Sequence, residues 1–119
     1  MGRIVIVAYR PHAGKSAALR SLIARHVPLL RDRGLATDRA PVCMEASDGA
    51  LVEVFEWISG AAIQSAHGDE VVQQLWSEFA PVCDDVPVGD LDECGNLFSE
   101  FAAVAESDGD AQASPSASG

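Results

Sequence analysis

The stretch ALVEVFEWISGAAIQSAHGD at positions 50–69 decides the fold, because it contains a strand, a short helix and a helix break in direct succession. Its first part, 50–58, is rich in the β-branched and aromatic side chains that strands favour. A short helical segment follows and ends at His67-Gly68. Asp69 is a residue type that caps helix N-termini, so a further helix is predicted to begin there.

The chain before this stretch predicts two strands and one long helix. Residues 3–10 (RIVIVAYR) contain a continuous apolar run, typical of a strand covered on both faces. Residues 15–33 form an amphipathic helix, and 36–46 (ATDRAPVCMEA) form a weaker strand in which Pro41 indicates an edge position or a bulge. The segment 47–49 (SDG) is a hairpin turn signal. The predicted buried stripe of the helix is Leu19, Leu22, Ile23, His26 and Leu30.

The chain after this stretch completes the pattern with a helix through about Cys83 and a last strand at 97–104 (LFSEFAAV). Strand, helix, two strands, helix and strand is the order of the ferredoxin-like split βαβ fold. The fold class is therefore predicted to be α+β, with a four-stranded antiparallel sheet and its helices on one face. Residues 1–105 form this domain, and the acidic, Ser- and Ala-rich segment 106–119 is predicted to be a disordered tail.

Charge and composition exclude several classes of partner. The net charge is −10, and all eight basic residues lie at or before Arg39. Because the basic residues of the first helix are scattered around its axis, they predict a solvated surface and no nucleic-acid partner. No apolar run approaches the ~20 residues of a membrane helix, and no signal peptide precedes the first strand. We therefore expect no membrane association and a cytoplasmic location.

The chain has three cysteines, Cys43, Cys83 and Cys94, and no CxxC pair. An odd count without such a pair argues against a disulfide framework and against a structural zinc site. We therefore predict that the cysteines are small buried hydrophobes, and we expect no metal.

Two histidines stand out by their position. His67 lies at a break between helices, where its ring can face a cavity and transfer protons. The residues alone favour the plainer interpretation, in which His67 caps the segment or bonds a neighbouring carbonyl. His26 lies in the middle of an apolar helical stripe. It is either a satisfied core histidine or a pocket histidine that faces the sheet, and the sequence favours neither.

Other candidate ligand-binding residues lie near the ends of the predicted strands. Tyr9, Arg10 and Arg39 could orient an anionic or phenolic ligand there. Surface ion pairing is the plainer interpretation of these strand-end residues. Trp57 and Trp76 are more typical of a core than of a stacking platform.

Four features of the sequence match one known family. They are the first strand IVIVAYRP at 4–11, the Gly14-Lys15 entry to a long helix, the segment EWIS at 56–59 leading to a short helix that ends at Ala66-His67, and a following helix with Trp76 and Phe79. On these residues the chain resembles the antibiotic biosynthesis monooxygenase (ABM) family of dimeric α+β barrel proteins. The resemblance covers roughly residues 3–104.

The resemblance implies a ferredoxin-like protomer that pairs sheet against sheet in a homodimer, with a small-molecule cleft between sheet and helices. Members of the family oxygenate phenolic polycycles without a cofactor, oxidise quinols or degrade haem. Haem degradation is disfavoured, because the first strand has no Asn, Ala66 stands where those members have a Trp, and Trp76 stands where they have a His. Only His67 and Trp57 match general family positions. Relative to the family, the stretch 84–97 looks like an insertion before the last strand.

The resemblance therefore implies an ABM-like oxygenase that acts on a phenolic or quinol-type substrate without metal, flavin or other cofactor. His67 would be its catalytic base, and the substrate would be bound by His26, Tyr9, Trp57, Arg10 and Arg39. The alternative is a non-catalytic dimeric ligand-binding or assembly module of the same fold. An open cavity bordered by both histidines would favour the enzyme, and a pocket filled by the protein's own Trp and Phe would favour the module.

Overall fold

The computed structural model describes residues 1–105, which contain three α-helices and five strands. In chain order these are β1 (Arg3–Pro11), α1 (Ser16–Asp32), β2 (Val42–Glu45), β3 (Leu51–Trp57), α2 (Gly60–His67), α3 (Glu70–Ser77), β4 (Cys83–Val86) and β5 (Ala102–Val104). Two short 3₁₀ turns, Val88–Asp90 and Asp92–Gly95, lie between β4 and β5. The predicted tail at 106–119 lies outside the described residues. Within 1–105, no helix is long and apolar enough to cross a membrane.

The five strands form one open antiparallel sheet in the order β4-β1-β3-β2-β5. The fold is therefore α+β, as predicted, and is compatible with the ferredoxin-like pattern. The prediction of four strands is wrong, because β4 forms a fifth strand at the start of the predicted insertion at 84–97. The predicted last strand at 97–104 contributes β5, which pairs with β2 at the opposite edge of the sheet.

Strand β4 has little apolar pattern of its own. Its sequence, CDDV, places Asp84 and Asp85 in the middle of a short edge strand. It is held by pairing with β1, in which Tyr9 lies opposite Asp85 and Arg10 opposite Asp84. Charged, short edge strands of this kind discourage pairing with other chains, and their hydrophobic periodicity is weak.

One face of the sheet packs against the helices. Side chains alternate between the two faces of a strand, and the β1–β3 register places Val5 beside Phe55 and Tyr9 beside Leu51 on the helix-facing side. These residues belong to clusters that include side chains of all three helices. The predicted stripe of α1 is confirmed, since its members are buried: Leu19, Leu22, Ile23, His26 and Leu30.

The other face of the sheet is covered only in part. The connection between β4 and β5 crosses it and buries Leu91 in a cluster with Ala8. Beyond this cover, Ile4, Ile6 and Val42 are 58%, 52% and 52% exposed. We call these three side chains the open patch. The patch is a surface on which apolar side chains still face water.

The break between α2 and α3 has the predicted chemistry. The side chain of Asp69 accepts hydrogen bonds from the backbone N–H groups of Val71 at 2.9 Å and Val72 at 3.2 Å. These bonds satisfy two of the N–H groups that have no partner at the start of a helix. Because α3 begins so soon after α2 ends, His67 is held at a fixed corner of the chain.

Candidate functional site

A cavity of about 420 Å³ lies between the helix-facing side of the sheet and the helices. Its walls are mainly apolar and aromatic: Val5, Val7, Phe55, Trp57, Ile63, Trp76 and Phe79. Polar groups come from Tyr9, His26, His67 and Asp85. A concave, largely apolar site with a few polar groups is the usual form of a small-molecule site. Both candidate histidines border this one cavity, which favours the enzyme over a module with a filled core.

His26 lies on α1 at the base of the cavity and is only 4% exposed. Its Nδ1 lies 3.0 and 3.1 Å from the two carboxylate oxygens of Glu53, and its Nε2 lies 2.9 Å from the indole Nε1 of Trp76. Because an indole N–H can only donate, Nε2 must accept and Nδ1 must carry the proton that is donated to Glu53. These partners hold His26 as a neutral ring in one tautomer. It is both a satisfied core histidine and a pocket histidine.

Glu53, in the middle of β3, is the acidic member of this network and is 1% exposed. It also accepts a hydrogen bond of 2.8 Å from the hydroxyl of Tyr9. Both partners donate, so Glu53 has the acceptor role of a carboxylate. Burial, and after it the Glu53 carboxylate, raises the pKa of Tyr9 far above its ordinary value. Tyr9 therefore remains a neutral donor.

His67 is the last residue of α2, and its exposed ring borders the open side of the cavity. Its Nδ1 lies 2.8 Å from the backbone carbonyl of Ile63, so Nδ1 donates and the lone pair of the neutral ring is on Nε2. Among the described residues, Nε2 has no hydrogen-bond partner. The bond to a neighbouring carbonyl, which the plainer interpretation predicts, sets the tautomer of a ring that also borders the cavity.

The two tryptophans have both a core role and a cavity role. Trp57 is 5% exposed and its ring centroid lies 5.4 Å from that of Phe55. Trp76 connects the two histidines, since it donates its N–H to His26 and packs edge-on against the ring of His67 at 5.4 Å. The base and the mouth of the cavity are thus joined through one side chain.

Arg10 and Arg39 do not border the cavity. Arg10 donates to Asp48 at 2.7 Å, and Arg39 donates to Glu56 at 2.9 Å. The hydrogen bond from Arg39 is the main cause that lowers the pKa of Glu56 below its usual value. Surface ion pairing, the plainer interpretation, describes both arginines.

Sequence reasoning did not single out Glu53, although a signal for it was present. Alternate positions of a strand share a face, so Glu53 lies between Leu51 and Phe55 on one apolar face. The facing helix has His26 as the one ionisable member of its buried stripe. A lone acid and a lone histidine on two apolar faces that pack together are natural partners, because each needs a hydrogen bond when buried.

Other chemistry is limited in the part of the chain that the structure describes. Within 1–105, no group of three or more His, Cys, Asp or Glu is placed to hold a metal ion. None of the three cysteines forms a disulfide. Burial raises the pKa of the Cys83 thiol to about 11, which keeps it protonated at neutral pH.

Comparisons of the chain with protein-family models, with curated proteins and with solved structures gave no match. The resemblance to the ABM family therefore stays a prediction from the sequence. Function has to be inferred from the cavity, its walls and the groups that border it.

Proposed function

We propose that the protein is a cytoplasmic, ABM-like small-molecule oxygenase that oxidises a phenolic or quinol-type substrate without metal or flavin. The observation that carries this proposal is the single cavity that His26 and His67 both border. Its volume of about 420 Å³ suits a small aromatic compound. Trp57 and Trp76 offer flat apolar walls against which such a ring can pack.

His67 is the proposed base. Its Nε2 takes the proton of the substrate hydroxyl, and the carbonyl of Ile63 stabilises the charged ring by accepting from Nδ1. The resulting aryloxide is rich enough in electrons to reduce O₂ itself. From a quinol, two electrons and two protons pass to O₂, giving a quinone and hydrogen peroxide. From a phenol, one oxygen atom becomes the second carbonyl oxygen of a quinone, and the other leaves as water.

The alternative function is a non-catalytic ligand-binding or assembly module of the same fold. The exposure of His67 favours this alternative, since a base that is open to water lacks the dry surroundings that protect reactive intermediates. The hydrogen bond from its Nδ1 to Ile63 is also sufficient to explain its position structurally.

Ring NMR of His67 during titration with hydroquinone, catechol and naphthol, together with oxygen uptake, tests the two functions. We expect the His67 resonances to shift with at least one compound that also consumes oxygen. His12 is an internal reference, because it is bonded to Asp84 and Pro81 away from the cavity. A His67 ring that titrates like a free imidazole and ignores every compound would leave only the module.

A sheet-to-sheet homodimer of the dimeric α+β barrel type is also part of the proposal, and the open patch supports it. Pairing two such patches about a two-fold axis would remove Ile4, Ile6 and Val42 from water. We expect light scattering at micromolar concentration to give twice the chain mass, and Ile6→Lys to give the monomer mass. Val71→Lys is the matched control, because Val71 is 42% exposed on α3. A monomeric wild-type chain would contradict the dimer.

A further inference from the structure

Among the described residues, the charged groups at the cavity are carboxylates, apart from the exposed ring of His67, which is positive only when it is protonated. Asp85 borders the cavity directly from β4, with an exposed side chain. Glu53 lies beneath its base, bonded to Tyr9 and His26, which themselves line the cavity. Within 1–105, no Lys or Arg lines the cavity, and Arg10 and Arg39 pair with Asp48 and Glu56 instead.

The base of the cavity holds no positive charge to offset Glu53. His26 accepts the indole N–H of Trp76 at Nε2, so a second ring proton would face another donor. Tyr9 is a neutral donor. Glu53 is 1% exposed, and in such a dry place water screens its charge poorly.

Tyr9 shows how Glu53 and Asp85 act on a negative charge at the cavity wall. It is itself a phenol at the cavity wall, and its pKa is raised by burial first and then by Glu53, with a smaller contribution from Asp85. Burial opposes a charge of either sign, whereas Glu53 and Asp85 oppose only a negative charge, so the two carboxylates are what would distinguish a bound cation from a bound anion.

The aromatic walls of the cavity also favour a cationic ligand over an anionic one. Trp57, Trp76, Phe55 and Phe79 line the cavity, and the faces of aromatic rings attract positive charge. A ligand ammonium can therefore gain from the ring faces as well as from the acidic groups, whereas a carboxylate or a phosphate gains from neither.

We propose that the cavity selects by charge: it binds aromatic amines in their cationic form best, uncharged aromatic compounds next, and aromatic carboxylates and phosphates least. The proposal rests on the proposed function only in using the same cavity as the substrate site. If that function holds, an ionisable hydroxyl is placed at the mouth beside His67, and the uncharged end of the substrate lies over Glu53.

Three probes of nearly equal size test this selectivity: phenethylamine, phenethyl alcohol and phenylacetate. Both tryptophans of the chain line the cavity, so quenching of intrinsic fluorescence reports binding, and calorimetry checks it. We expect phenethylamine to bind about 10-fold or more tightly than phenylacetate, a ratio that corresponds to about 1.4 kcal/mol. Phenethyl alcohol should lie between them.

Two variants assign the effect to named carboxylates. Asp85→Asn should reduce the ratio of the affinities for phenethylamine and phenylacetate several-fold and leave the affinity for phenethyl alcohol unchanged. Asp84→Asn is the matched control, because Asp84 is the neighbouring residue of β4 and is bonded to His12 at 3.1 Å instead of bordering the cavity. Glu53→Gln keeps an oxygen that accepts from Tyr9 but removes the charge. It should reduce the same affinity ratio more than Asp85→Asn does.

Equal or tighter binding of phenylacetate would overturn the proposal, as would failure of both phenethylamine and phenethyl alcohol to bind. An unchanged ratio in Asp85→Asn would also count against it, and that surface variant does not depend on whether Glu53→Gln folds. The order of affinities is tested independently of catalytic turnover. An inactive protein that keeps the order of affinities refutes the enzyme alone, and an active protein that prefers phenylacetate refutes the charge selectivity alone.

Discussion

Replacement of His67 by alanine is expected to lower turnover of a quinol substrate by about 10²-fold or more, the usual effect of losing a positioned acid–base group. The effect should be large because the tautomer of His67 is fixed by its bond to Ile63, which directs the lone pair to Nε2. Oxygen uptake under saturating substrate measures it. We expect kcat to fall and KM to change little, since Trp57 and Trp76 keep the walls of the cavity.

His12→Ala is the matched control for this variant. His12 is a partly exposed histidine whose ring also bonds a backbone carbonyl, that of Pro81 at 3.1 Å, but it does not border the cavity. It should keep full turnover. If His67→Ala keeps full turnover while its melting temperature falls slightly, His67 has only a structural role at the end of α2, and the base is another group.

Replacement of His26 by leucine is expected to lower the free energy of unfolding by about 3 kcal/mol, the upper end of the scale for leaving buried polar groups without a hydrogen-bond partner, because one of those groups is a carboxylate. Stability is lost because two buried polar groups lose a hydrogen-bond partner. Glu53, 1% exposed, would keep only the hydroxyl of Tyr9 as a donor, and the indole N–H of Trp76 would lose its acceptor. Urea unfolding followed by circular dichroism measures the change.

The double variant His26→Leu with Glu53→Leu distinguishes the cost of an unpaired buried carboxylate from the cost of altered side-chain packing. It removes the buried charge together with its partner, so we expect it to recover at least half of the stability lost in the single variant. Tyr9→Phe removes one neutral hydrogen-bond donor to Glu53, and we expect it to lower the free energy of unfolding by about 1 kcal/mol. If the double variant is less stable than His26→Leu alone, the charge of Glu53 is not what makes the single variant costly.

Several local features of the fold could be predicted because each depends on residues close together in the chain. Gly34 ends α1 with a φ of 75°, and Leu35 donates to the carbonyl of Leu30 at 2.8 Å, the pairing of a Schellman motif. Asp69 caps α3 as its residue type indicates. The apolar stripe of α1 identified its buried face in the same way.

The sequence by itself thus determined helices α1 and α2, the start of α3, the clear strands β1 and β3 and the α+β class. The predicted end of the last helix at about Cys83 is wrong, because α3 ends at Ser77 and Cys83 begins β4. Only the tertiary structure decided that CDDV is a strand, because a short polar edge strand forms by pairing with its neighbour rather than through its own pattern. It also decided that Tyr9, His26 and Glu53 share one network, and that Arg10 and Arg39 pair outside the cavity. Contacts between residues far apart in the chain depend on how strands and helices are placed, and no local periodicity carries that information.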